Sequence, residues 1–133
     1  MVTTYQKKIC MLLVIFSLLS TTLSIATENW LWVYSNDTFT MYLDSNSVVY
    51  DKASNTATFW TASEYPATGA TYKDQKAADF SHHTLAVLHT ITGANNGTSG
   101  SRPQFNTYVP EYEPVVPGSM GDQLYTTVYS YCH

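Results

Sequence analysis

Cysteine is nearly missing from this chain. Only two are present: Cys10, inside an apolar stretch near the start, and Cys132. If Cys10 leaves with that stretch, no internal disulfide can form, and stability has to come from packing. Cations are also scarce. From residue 27 onward four of them (Lys52, Lys73, Lys76, Arg102) face all ten acids, a formal charge of −6. No basic patch occurs, so a phosphate backbone would be repelled and nucleic acid is not an expected partner. There is no internal repeat and no block of like charge, and the apolar run from Ile9 to Leu19 is too short to span a bilayer comfortably.

That run has Lys7 and Lys8 before it and small or hydroxylated residues after it, ending in Ser24-Ile25-Ala26. The three parts together spell a secretory signal peptide over residues 1–26, with cleavage expected after Ala26. Thr21, Thr22 and Ser24 weaken the alternative of an uncleaved anchor, so membrane contact is expected only through this segment. Cys10 begins the run, whereas a lipid-bearing cysteine would follow it. The expected location is therefore exported: cell surface, periplasm or outside the cell. Residues 27–133 are the size of one compact domain with its own core.

Past Trp30, bulky apolar and β-branched residues alternate with hydroxyls, the pattern of a pleated, half-buried surface. "WLWVYS" (30–35) and "FTMYLD" (39–44) flank Asn36-Asp37-Thr38 and predict a hairpin. Asp, Asn and Ser in the following stretch to Asn55 predict a turn region, and "TATFWTAS" (56–63) predicts a third strand. Pro66 and Gly69 interrupt the pattern, and a weakly patterned strand is expected between Tyr72 and His83. "TLAVLHTIT" (84–92) alternates so that Leu85, Val87, His89 and Ile91 share one side. After the loop "GANNGTSGSRP", a last strand is expected near Phe105–Val109, and Pro110, Pro114 and Pro117 then predict an irregular strap.

"VVPGSMGDQLY" (115–125) holds Ser119 between glycines and resembles a nucleophile elbow. The elbow needs a glycine two residues before the serine and a buried strand leading into it. Pro117 occupies that position, and a proline strap precedes it. Ser119 is better read as a helix cap, accepting from the Asp122 amide while Asp122 reaches back, a Ser-x-x-Asp capping box. Met120, Leu124, Val128 and Cys132 then recur every four residues, with Tyr125 and Tyr131 beside them, as an apolar stripe that must be covered. Ser119, Asp122 and Cys132 are thus expected to be structural residues, and no catalytic, cofactor-binding or metal-binding residue is assigned. Cys132 is either buried at the helix end or free to pair with a second copy as a homodimer.

Other constellations are weaker. His83 and His89 share a side but stand about 20 Å apart along a strand, too far to share an ion, and adjacent His82 and His83 face opposite ways. Asp44 and Asn46 open like a calcium loop, but Val49 and Asn55 occupy positions that need glycine and glutamate. Glu111 and Glu113 alternate on the strap as solvated charges. Most of the tyrosines are expected to pack in the core, while those on the outer sheet face, Tyr42 among them, suit an amphipathic contact patch. Asn36-Asp37-Thr38 and Asn96-Gly97-Thr98 are glycosylation sequons that matter only in a eukaryotic source.

"WLWVYSNDTFTMYLDSNSVVYD", the "TFWTASEYP" strand and the closing "YEPVVPGSMGDQLYTTVYSYC" resemble the small exported domains of the surface-adhesion protein E family across essentially all of residues 27–133. The resemblance implies a curved antiparallel sheet with a C-terminal helix on its concave face. It also implies a bacterial envelope protein that binds host extracellular-matrix or serum proteins. Relatives commonly tie the helix to the sheet by a disulfide and carry tryptophan where this chain has Tyr112; here Cys132 has no partner. The expected fold is α+β: an antiparallel sheet of about six strands with one helix packed on one face. The expected role is binding without catalysis or cofactor, with a small ligand carrier or enzyme, using a pocket between helix and sheet, as the alternative.

Overall fold

The computed structural model describes residues 27–94 and 104–133. The expected signal segment with Cys10, the cleavage point after Ala26 and the Asn96-Gly97-Thr98 sequon lie outside the described residues. Seven strands and a helix follow in order: β1 (Trp30–Ser35), β2 (Thr40–Asp51), β3 (Thr56–Tyr65), β4 (Ala70–Asp79), β5 (Thr84–Ala94), β6 (Gln104–Thr107), β7 (Glu113–Pro114) and α1 (Met120–Cys132). They form one open, curved sheet in which β1 to β6 pair in sequence order, every pair antiparallel, while β7 joins the same edge of β5 that carries β6. With its single C-terminal helix this is the expected α+β arrangement.

Short polar turns make the meander. At 36–39 the Asn36 side chain accepts from the amides of Thr38 (2.8 Å) and Phe39 (2.9 Å), an Asx turn that holds the hairpin shut. Asp51 accepts from Ala53 N and Ser54 Oγ, and Asn55 closes that turn at φ 54°. Asp79 accepts from the amides of Ser81 and His82 before His83 turns the chain at φ 55°.

Two details differ from the sequence pattern, and both come from bulges. β2 does not stop at Asp44; it continues to Asp51, with a register shift between Asp44 and Val49. Of the stretch expected to turn, Asp51 to Asn55 does so, whereas Ser45, Asn46 and Ser47 lie in the bulge. Ser47 Oγ donates to Asp44 O (2.6 Å) and accepts from Trp60 N (2.8 Å), so a side chain replaces a missing ladder bond. In β5 the register passes from Gln75↔His89 to Lys76↔Val87, leaving Leu88 as the extra residue. One extra residue exchanges the faces. Leu85 and Val87 therefore stay on the helix side, and His89 and Ile91 pass to the other.

The core lies between the sheet and α1. Val33, Met41, Leu43, Ala57, Phe59 and Ala78 from the strands meet Leu124, Tyr125 and Val128 from the helix and Val115 from the strap. Met120 and Cys132 extend the helical stripe as half-buried neighbours, whereas Tyr131 is half exposed. The helix end is held by rings: Phe80 packs edge-on to Tyr125, Tyr129 and His133, and Tyr50 Oη lies 3.1 Å from His133 Nε2. No described helix is long and apolar enough to cross a membrane.

Candidate functional site

Ser119 stands at the entrance to α1 in an extended conformation. Its Oγ accepts from Asp122 N at 3.2 Å and donates to Val116 O at 2.6 Å, so both of its partners are backbone groups. The Asp122 carboxylate reaches back one residue further than a standard capping box, to Gly118 N at 2.9 Å. Gly118 sits at φ 75°, which places its amide within reach and which a side chain would resist. Among the described residues no side-chain base is bonded to the hydroxyl. Ser119→Ala is expected to cost about 1 kcal/mol in a denaturation experiment, the usual worth of such a cap.

Cys132 is the free cysteine of the described residues, partly covered at the end of the helical stripe. Burial pushes its thiol above the ordinary cysteine range, which lowers the reactive thiolate fraction. The histidines go to separate partners. His82 Nδ1 lies 2.7 Å from Asp79 Oδ2, His83 packs on Tyr125, and His89 stacks on Phe105 and meets Thr107 Oγ1 at 3.2 Å. Among the described residues no three His, Cys, Asp or Glu side chains converge as a metal site.

Two surfaces gather chemistry instead. The first is the sheet face opposite α1, where all three tryptophans of the chain lie, with Tyr42 among them. Register aligns Trp32, Tyr42, Ala62, Lys73, Ile91 and Phe105 as one row across six strands. At the spacing of paired strands the row is about 24 Å long. Its ends are open, Trp32 at 61 % and Phe105 at 59 % exposure. In the neighbouring row Trp30, Asp44, Trp60, Gln75 and His89 follow one another. A shallow hollow of about 210 Å³ opens between Trp30, Trp60, Ile91 and the Glu28–Lys73 pair.

Polar bonds hold these rings in place. Trp32 Nε1 donates to Ser35 Oγ at 2.7 Å, and Trp30 Nε1 to Glu28 Oε2 at 3.0 Å. Lys73 Nζ contacts Glu28 Oε1 at 3.0 Å and sits 5.2 Å from the centre of the Trp30 ring, a cation–π distance. The bonds from Lys73 and then Trp30 hold the Glu28 carboxyl below its ordinary range.

The second surface is a cleft of about 560 Å³ between the sheet, the strap and the start of α1. The strap is tied to β5 at two points, Tyr108 N to Leu88 O (2.9 Å) and Val115 N to His83 O (3.1 Å), next to the short β7 pairing. Between them it bows away, leaving Val109 91 % exposed. Beneath the bow, Phe39, Met41, Leu85 and Val87 make an apolar floor that also holds Ser63, Asp74 and Lys76, and Glu111 and Glu113 stand on the rim. Among the described residues the cleft is lined by carboxylates and by no histidine.

Lys76 is 8 % exposed, and its nearest charge is Asp74 Oδ2 at 3.8 Å, beyond hydrogen-bonding range. Asp74 is itself occupied by the Thr90 hydroxyl at 2.7 Å. Burial pushes the Lys76 ammonium below the usual lysine range, with Asp74 opposing. The folded form therefore sheds this proton at a pH where the unfolded chain still keeps it. Below the lowered pKa the cost of burying the charge is felt in full. Between that pKa and the ordinary lysine value, stability contributed by this group rises with pH. Lys76→Met is expected to remove that rise, read as the difference between the two proteins' denaturation midpoints across an alkaline pH series.

No protein-family profile, no curated protein and no solved structure matches this chain significantly. The geometry alone therefore carries the functional argument. The sequence reading named Tyr42 for an outer contact patch but not the tryptophans, although Trp30 and Trp32 two residues apart in a strand already place both rings on one side. The face swap in β5 that brings Ile91 and His89 to that side had no comparable sign.

Proposed function

We propose that this protein is an exported binding module, without catalysis, that holds a protein partner against the outer face of its sheet. The observation that carries the reading is the row from Trp32 to Phe105, whose two end rings are exposed yet held, Trp32 by its bond to Ser35 and Phe105 by stacking on His89. Exposed aromatic side chains held in one geometry lose little entropy on contact and are favoured anchors of interfaces. The excess of acids over cations suits a partner with a basic contact segment, whose arginines could stack on Trp32 and Trp60. Adhesion to host matrix or serum proteins is the form of this function that the family resemblance implies.

The test is retention of the purified protein on immobilised matrix and serum proteins, compared with Trp32→Ala. Retention on at least one of them should fall about tenfold or more in the variant, the loss of one anchor. Its stability should change by no more than about 0.5 kcal/mol, since the ring is already in water. Absence of retention on every protein offered, or equal retention of both forms, removes the reading.

A further inference from the structure

We propose that the cleft under the strap is a binding site for a small amphiphilic monocarboxylate, its head on Lys76 Nζ and its tail along Phe39, Met41, Leu85 and Val87. The site lies on the opposite side of the sheet from the outer aromatic row and is independent of it.

Two observations lead there. The cleft of about 560 Å³ has the size of small-molecule sites, and its floor is mainly apolar with a few polar groups, as such sites are. A core could have filled this space; instead the strap leaves β5 between Tyr108 and Glu113 and spans it. Lys76 supplies the second observation. Its side chain is nine-tenths buried and lines the floor, and its ammonium has three donors with no acceptor in hydrogen-bonding range among the described residues. A buried ammonium left so is costly, and an anion that accepts from it removes the cost.

Charge decides the class of ligand. A cationic head would add a second positive charge beside Lys76. A phosphate would bring more than one negative charge toward Asp74, Glu111 and Glu113, against one ammonium. A carboxylate brings one charge and accepts through two oxygens, and Ser63 adds a neutral polar group elsewhere in the lining. The rim glutamates are exposed and well screened, so they slow entry of an anion without forbidding it.

Titration calorimetry of the purified protein with decanoate, 1-decanol and decylamine, each kept below its micelle concentration, tests the proposal. At neutral pH decanoate should bind at least about tenfold more tightly than decanol, the worth of one charge-assisted hydrogen bond. Lys76→Met should lose that advantage and keep decanol binding, while Lys76→Arg retains most of it. Glu111→Gln with Glu113→Gln should tighten decanoate binding, and Trp32→Ala should leave it unchanged. The decanol signal shows that the cleft of each variant is intact. Equal binding of decanoate and decanol, preference for decylamine, indifference to Lys76→Met, or no binding of any probe would overturn the assignment.

Discussion

Phe59→Ala is expected to lower the free energy of unfolding by about 3–5 kcal/mol, the range for removing a buried ring. The upper part of that range applies here because the hole cannot close. Phe59 is wholly buried and is the largest of the fully buried side chains. Its nearest core neighbours along β3 and β4 are Ala57 and Ala78, too short to reach into the space, and Lys76 opposite it belongs to the cleft. Leu43 is likewise wholly buried and already has its place in the packing. Urea denaturation gives the check. The midpoint should fall with little change in slope, since the surface exposed on unfolding stays nearly the same. A loss below about 1 kcal/mol would mean that the helix settles onto the sheet to fill the gap.

Val128→Asp should have an effect of similar or greater size, for an electrostatic reason. Val128 has no exposure and lies between the sheet and the middle of α1. Among the described residues a carboxylate there has no cation close by, because the cationic partners seen on the sheet, Lys73 and Lys76, face the outer surface and the cleft. Burying an unpaired charge costs several kcal/mol, against a total stability of roughly 5–15 kcal/mol for a domain. Near-UV circular dichroism should collapse and a hydrophobic dye should bind, as the helix lifts from the sheet. Thr126→Asp, on the exposed side of the same helix, should change stability by no more than about 0.5 kcal/mol. Equal tolerance of both substitutions would mean that the sheet does not need its helix.

Much of the architecture was legible because it rests on local chemistry. The Asn36 turn, the breaks at Pro66 and Gly69, and the four-residue stripe from Met120 to Cys132 each follow from residues close in sequence. Ser119 and Asp122 announce a helix start for the same reason. What was illegible needed information from a second element. Ser45 to Ser47 read as part of a turn, because a bulge uses the same side-chain acceptors as a turn does; only pairing with Trp60 tells the two apart.

The candidate sites follow the same division. The residues by themselves determined that Trp30 and Trp32 would point one way and Leu31 and Val33 the other, because a strand alternates. Both sets are apolar, so either could have been the core. The tertiary structure decided the matter by laying Leu124 and Val128 over Val33 and Leu43, which left the tryptophans on the open face, Trp32 exposed and Trp30 and Trp60 half-buried. In the same way, Asp74 and Lys76 were bound to share a face, two residues apart in β4. That this face is roofed by a strap with space beneath depends on where Tyr108 and Val115 fasten to β5. Side-chain alternation is a property of one strand, but the choice of which side is sealed is made by whatever else the chain can bury against it.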